Sequence, residues 1–331
     1  MNGAGGLVAV HAHPDDETLS TGALLAAWAA AGRPVTVVTA TRGERGEVIP
    51  AALRHLQGDG PGLAAHRSGE LAAALAALGV TDHVFLDTLP DGPLAERRVD
   101  RRDRVFRTPE GAVSATTVAL AGGAGVRYED SGMAWVGTGQ AGPGADVAAG
   151  AFVGVPLEAA AGRLAGLLRA RRPAVVVTYD PQGGYGHPDH IRVHQVTMRA
   201  VELASDGGWR PAVWWRRTGR AQLAAGYRAL RGPAVRAALG AAYHQLSLPD
   251  PDGPFPAVAV ADDRIDLTVA VTADRVLAAL AAYPTQVQAV TAVPGQDAIV
   301  GCYALSDGVL APLLPDEGYV RIPAAHARRL L

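Results

Sequence analysis

Two short clusters hold most of the residue types that could do chemistry. In the first, Val8-Ala-Val-His-Ala-His-Pro-Asp-Asp-Glu17, an apolar run leads directly into histidines, a proline and three carboxylates. His13 and Asp16 stand three positions apart, close enough for an imidazole nitrogen and a carboxylate oxygen to converge on one cation. Pro14 stiffens the backbone between them. Asp15 would then stand beside the metal without binding it. A carboxylate in that place can take a proton from water whose pKa the ion has lowered to roughly 7. A lone Asp-Asp-Glu reads more simply as a solvated turn or the first turn of a helix, where acids are favoured. Two histidines at the end of a buried strand, and a second cluster later, weigh against that simpler reading.

The second cluster is Thr178-Tyr-Asp-Pro-Gln-Gly-Gly-Tyr-Gly-His-Pro-Asp-His190. His190 opens a helix and offers a fixed imidazole, whereas His187 lies in the glycine loop with more freedom to face a substrate. Three protein ligands and an open position are what a catalytic zinc site requires. His194, one helical turn further on, reads as a satisfied neighbour rather than a ligand, and His11 as support for the ligands. His55, His66, His83, His244 and His326 lack neighbours of ligand type and read as structural or surface residues. A third segment, Thr39-Ala-Thr-Arg-Gly-Glu-Arg-Gly-Glu-Val48, has glycines that let backbone approach a ligand closely.

These clusters need elements to bring them together. Short apolar runs alternate with helix-period segments, the pattern of βαβ units feeding a parallel sheet. Strands are expected at Leu7–His11, Val35–Ala40, His83–Leu86, Ala174–Tyr179 and Ala212–Trp215. Helices are expected over Thr18–Ala31, about Gly69–Leu78, Pro156–Arg171 and His190–Ala204. All three polar segments follow strands, and in open α/β sheets ligands bind beyond the strands' carboxyl ends. The expected fold is α/β: a Rossmann-like, mostly parallel sheet with helices on both faces and a smaller C-terminal α+β subregion. Residues 1–218 form the catalytic part, with an insert over about 87–122, and a Gly/Ala-rich loop spans 137–150. Residues 219–331 form a subregion packed on the same sheet. It reads as a helical stretch Ala221–Tyr243, a proline-rich turn Leu248–Pro256, a strand Ile265–Val271 and a helix Ala273–Ala282.

Composition narrows the function further. A net charge of −2 offers no basic field for a phosphate backbone, so nucleic acid is excluded as a partner and a small polar substrate fits better. All 30 Lys+Arg residues are arginine, which excludes Schiff-base chemistry through a lysine amine. One cysteine, Cys302, cannot form an internal disulfide. No segment is apolar for long enough to cross a membrane, and the expected location is the cytoplasm. A homo-oligomer is compatible with everything here. A dinucleotide-dependent oxidoreductase is excluded, because three acids occupy the first strand-to-helix turn, where a pyrophosphate needs glycines.

The motifs together, His-Pro-Asp-Asp-Glu after the first strand, Thr-Arg-Gly-Glu-Arg-Gly-Glu after the second and Gly-Gly-Tyr-Gly-His-Pro-Asp-His later, resemble the LmbE-like/PIG-L family of zinc-dependent N-deacetylases. Asp130-Ser-Gly-Met133, Arg67 before Ser-Gly-Glu, and Thr285-Gln-Val287 extend the resemblance to the branch that acts in the mycothiol pathway. The resemblance implies Zn²⁺ on His13, Asp16 and His190, with Fe²⁺ suited to the same donors. It implies Asp15 as general base, and His187 and Tyr185 as the groups that polarise the amide carbonyl and stabilise its oxyanion. Arg67 and Asp130 would hold sugar or inositol hydroxyls, with Glu47 and Met133 lining the pocket. The implied reaction is removal of the acetyl group from an amino sugar, N-acetylglucosaminyl-inositol in that branch. Ile191-Arg-Val-His-Gln195 is also similar to related amidases of mycothiol S-conjugates. Deacetylation of a secondary-metabolite sugar would use the same chemistry. The insert over about 87–122 departs from the family pattern and precedes the expected substrate loop.

Overall fold

Leu7–His11, Val35–Thr39 and Val175–Thr178 are buried at every position, as strands must be in the middle of a parallel sheet covered on both faces. The computed structural model describes residues 5–91, 127–137, 140–144, 148, 150–206 and 208–323. The insert expected over about 87–122 lies outside the described residues from position 92 onward, as do parts of the 137–150 loop.

In chain order the elements are β1 (Leu7–His11), α1 (Asp16–Ala30), β2 (Val35–Thr39), α2 (Gly60–Leu78), β3 (Asp82–Phe85), β4 (Met133–Gly137) and β5 (Gln140–Pro143). Then follow α3 (Leu157–Arg171), β6 (Val175–Thr178), α4 (Gly183–Gly186), α5 (Pro188–Ala204), β7 (Ala212–Gly219), α6 (Arg220–Ala229), α7 (Pro233–Leu239) and β8 (Ala259–Val260). The chain continues with β9 (Leu267–Ala270), α8 (Ala273–Ala281), β10 (Gln288–Ala292), β11 (Gly301–Ala304), β12 (Leu310–Leu313) and β13 (Asp316–Ile322).

The main sheet runs β3-β2-β1-β6-β7-β13-β9, with β8 beside β7. From β3 to β7 every pairing is parallel, and β13 then joins antiparallel to both β7 and β9. The expected mostly parallel sheet is therefore present. Its C-terminal strands extend it as an antiparallel edge, and β10-β11-β12 form a separate three-stranded antiparallel sheet. Successive connections leave β1 toward β2 on one side and return to β6 on the other. That reversal of strand order opens a crevice at the carboxyl ends of β1 and β6.

Alternation along β1 divides the core. Val8 and Val10 pack with Leu164, Val193 and Val196 of α3 and α5, while Leu7 and Ala9 pack with Leu24 of α1, Leu71 of α2 and Leu280 of α8. Leu164 is fully buried, so truncating it to alanine would cost about 2–5 kcal/mol. Helix α1 breaks at Thr21, whose φ is −140°, and the freed N–H groups of Ala23 and Leu24 donate to the Glu317 carboxylate of β13 at 2.7 and 3.1 Å.

Two helices differ from expectation for local reasons. Helix α2 starts at Gly60 rather than near Gly69, because Asp59 caps it by accepting from the Gly62 N–H at 3.1 Å and Pro61 suits a first turn. The single helical stretch expected over Ala221–Tyr243 is split into α6 and α7. Pro233 pushes Gly232 out of the helical region, to φ −71° and ψ 158°.

Candidate metal centre and active site

The first cluster follows β1 and the second follows β6, so neighbouring parallel strands deliver them to the same edge of the sheet. His13 leaves β1 on a tight turn and Asp16 is the first residue of α1. His187 caps α5 with its own ring, since Nδ1 accepts from the Asp189 N–H at 3.1 Å. Pro188 takes the first helical position, where its missing N–H costs nothing. His190 is thus set within the first turn, as expected.

The tautomers follow from the outer hydrogen bonds. His13 Nε2 lies 3.1 Å from Asp189 Oδ2, so it donates there and leaves the Nδ1 lone pair facing Asp16 Oδ2 at 3.2 Å. His190 Nδ1 lies 3.2 Å from the Gly183 carbonyl and donates to it, which leaves Nε2 facing Asp16 Oδ1 at 3.2 Å. His190 Nε2 is buried with no hydrogen-bond partner. Two lone pairs each face a carboxylate oxygen at this distance, so the cluster calls for a cation between them. Burial by itself disfavours charge on His13, but the charge of Asp130 and hydrogen bonds to Asp16 and Asp189 hold its pKa well above the ordinary value, so a proton on Nδ1 bridges to Asp16 until a metal ion takes that proton's place. Burial likewise acts against the Asp16 carboxylate, yet His190 and His13 keep it well below the usual range.

His13, His187 and His190 each bring a ring nitrogen within 4.8 Å of the others, so distance alone would admit His187 as a ligand. Its tautomer argues otherwise. Because Nδ1 accepts from the backbone, neutral His187 carries its proton on Nε2 and presents a donor rather than a lone pair. Burial, followed by the nearby His13 and His190, pushes its pKa well below the ordinary value and keeps it neutral. The donors His13 Nδ1, His190 Nε2 and the Asp16 carboxylate are a set that zinc or iron(II) takes.

Asp15 faces the cluster from a strained backbone, with φ 114°. Its carboxylate accepts from Arg67 Nη2 at 3.1 Å, and its N–H donates to Glu17 Oε2 at 3.1 Å. Burial raises its pKa well above the carboxylate range despite the opposing Arg67 charge. Tyr185 is held protonated by burial and by the charges of Asp16, Asp15 and Asp130, so its hydroxyl remains a donor.

Asp15, Arg67, Asp130, Glu47, Met133, Tyr185 and His187 all line one cavity of about 140 Å³ beside His13 and Asp16. Arg67 is also committed to the protein: Nη1 donates to the Gly43 carbonyl at 2.7 Å and Nη2 to the Pro14 carbonyl. Asp130 accepts from the Gly132 N–H at 2.8 Å through Oδ1, which lies 3.7 Å from His13 Nε2. His194 donates Nδ1 to the Tyr179 carbonyl at 3.0 Å, and His11 pairs with Thr21 Oγ1 at 3.0 Å and packs edge-on against Tyr179, whose ring stacks on His190.

Several residues of the site receive no role in the sequence reading. Asp189 is fully buried inside the His-Pro-Asp-His motif and receives His13 Nε2, the Ser131 N–H at 2.9 Å and the Ser131 hydroxyl at 2.5 Å. Its place between two histidines was the available signal. Tyr179 stacks on His190 at 4.1 Å and accepts from the Ala12 N–H at 3.0 Å. Gln286 lines the polar cavity, and Trp135, stacked on Tyr185, borders both this cavity and a second one. That second cavity, about 450 Å³, also borders Asp16, His190 and Tyr185 and is walled by residues including Leu223, Tyr227, Pro249, Tyr303 and Leu310.

Among the described residues no helix is long and apolar enough to cross a membrane. The sequence profile of the PIG-L family, described as GlcNAc-PI de-N-acetylase, matches residues 8–201. A 1D-myo-inositol 2-acetamido-2-deoxy-alpha-D-glucopyranoside deacetylase of Kineococcus radiotolerans is 42% identical over 94% of this chain and 75% of its own length. The protein of the same name from Actinosynnema mirum is 40% identical over 98% of this chain and 94% of its own. A solved deacetylase–teicoplanin complex is similar at 17% identity and TM-score 0.45, covering 96% of this chain and 98% of that one.

Proposed function

The chain belongs to the PIG-L family, and from that premise we propose that it is a metal-dependent deacetylase of N-acetylglucosaminyl-inositol, releasing acetate and the free amine. The observation that carries this reading is the pair of ring nitrogens, His13 Nδ1 and His190 Nε2, each 3.2 Å from an oxygen of Asp16, with Asp15 held by Arg67 in the adjoining cavity. His13, Asp16 and His190 would hold the ion, with zinc as the expected metal and Fe²⁺ suited to the same donors. Bound there, the ion supplies Lewis acidity and lowers the pKa of water.

The remaining work falls to side chains. Asp15, its carboxylate fixed by Arg67, takes the proton of the attacking water and returns it to the departing nitrogen. His187 Nε2–H and the Tyr185 hydroxyl line the same cavity as donors and would stabilise the charge that develops on the amide oxygen. A donor of this kind contributes about 3–4 kcal/mol in other hydrolases. Asp130, Glu47, Met133 and Arg67 border the cavity in which sugar and inositol hydroxyls would sit. The cavity of about 450 Å³ favours a second reading, cleavage of a mycothiol S-conjugate, whose larger acyl group would need apolar room beside Asp16 and His190.

One panel tests both readings: acetate or amine release from N-acetylglucosaminyl-inositol, a mycothiol S-conjugate and plain N-acetylglucosamine. Preference for the inositol compound is expected, and preference for the conjugate would favour the second reading. Asp15→Ala should abolish hydrolysis while metal stays near one per chain, whereas His13→Ala should lose both. An Asp15→Ala enzyme with full activity would refute the mechanism.

A further inference from the structure

The catalytic turn is gripped by a segment far along the chain. Glu17 is fully buried and accepts three hydrogen bonds: from the Tyr283 hydroxyl at 2.6 Å, from Thr18 Oγ1 at 2.5 Å and from the N–H of Asp15 at 3.1 Å. Tyr283, just beyond α8, is itself fully buried. The residues after it are tied to the other walls of the site. Thr285 donates its N–H and hydroxyl to Glu70 of α2 at 2.9 and 2.6 Å and accepts from the Ile49 N–H at 3.0 Å. Gln286 donates to the Glu47 carbonyl at 3.0 Å.

Asp15 needs such a grip. A non-glycine residue at φ 114° relaxes unless its surroundings hold it, and Asp15 is restrained at its N–H by Glu17 and at its carboxylate by Arg67. Among the described residues, Tyr283 alone of the partners that fix the Glu17 carboxylate comes from outside the turn.

We propose that Tyr283, acting through Glu17, is a positioning residue for Asp15, so that the C-terminal subregion completes the catalytic apparatus. This rests on the reading of Asp15 as general base. The clamp works through hydrogen bonds that Glu17 accepts, two of them from hydroxyls that can turn round. Glutamine at position 17 would keep the Asp15 N–H bond and offer its amide hydrogens to the hydroxyl oxygens, whereas alanine would keep nothing.

The test uses the full-length, metal-loaded enzyme. Tyr283→Phe keeps the ring in the core and removes the hydroxyl alone. It should lower kcat about tenfold, as expected for a catalytic group displaced by a fraction of an ångström. KM and metal content should stay at wild-type values, and amide hydrogen exchange in the peptide carrying Asp15 should speed up. Glu17→Ala should lose more, and Glu17→Gln should recover most of that loss. A Tyr283→Phe enzyme with wild-type kcat and exchange overturns the proposal. So does one in which KM, metal content and kcat fail together, because that describes general loosening. An active Asp15→Ala enzyme also overturns it, by removing the group the clamp serves, and that failure is told apart because Tyr283→Phe would then speed exchange at Asp15 while leaving kcat at the wild-type value.

Discussion

Replacing Asp189 should weaken metal binding although Asp189 touches no metal. Its Oδ2 receives His13 Nε2 at 3.1 Å and the Ser131 N–H at 2.9 Å, and its Oδ1 receives the Ser131 hydroxyl at 2.5 Å. The bond to His13 fixes the tautomer that turns Nδ1 toward Asp16 and makes that nitrogen a better donor to the ion. Losing such a partner weakens metal affinity by about 10–100-fold. Alanine strands three buried donors, and at about 1 kcal/mol or more for each, the fold should lose about 3 kcal/mol. Asparagine can do better. With its oxygen in the place of Oδ2 it still accepts from His13 and Ser131 N–H, and its amide can face the Ser131 hydroxyl, which turns to accept. Only the charge is lost, so Asp189→Asn should sit near the tenfold end and Asp189→Ala near the hundredfold end. Competition with a calibrated chelator measures the affinities, and thermal unfolding of the metal-free proteins measures the fold. Wild-type metal affinity in Asp189→Ala would refute the tautomer argument, and with it the choice of His13 Nδ1 as ligand atom.

Three further outcomes are expected. Gly43 has φ +65°, and a Cβ there would lie 1.9 Å from Arg67 Nη1, so Gly43→Ala should push Arg67 off Asp15 and cut kcat/KM at least about tenfold with metal content intact; steady-state kinetics with metal analysis checks this. Cys302 is fully buried and burial pushes its thiol up to about 11, so a thiol reagent at pH 8 should label it only at the rate at which the protein opens, and fast labelling of the native protein would contradict its packing. Burial, then the Arg42 charge, lowers the pKa of His83 to about 4. Because that value lies below the unfolded one, the neutral ring contributes stability above about pH 6.5 that is lost as pH falls toward 4. Urea titrations should therefore show a shallower acid loss in His83→Gln than in the wild type, and identical pH slopes would disprove it.

The sequence by itself determined what depends on neighbours along the chain. Strands such as Leu7–His11 are legible because an apolar run, Leu7–Val10, makes up nearly all of their length, and parallel pairing follows from the alternation with helices. His13, Asp15 and Asp16 are legible as a group because one turn holds them, and His190 because its own motif repeats the pattern. The start of α2 was hidden by Gly60 and Gly62, which argue against a helix locally, while the cap from Asp59 that overrides them is a matter of geometry. Tertiary structure alone decided which nitrogen of each histidine faces the centre. The outer partners of His13 and His187 meet at Asp189, and that of His190 is the Gly183 carbonyl. Tautomers depend on hydrogen bonds in space, and spacing along the chain carries no trace of them. The same holds for Tyr283 and Gln286, which reach the site across more than 200 residues because α8, just before them, packs on α1 and α2. Pattern within a segment fixed the elements and the donors, and packing between distant segments fixed where each donor points.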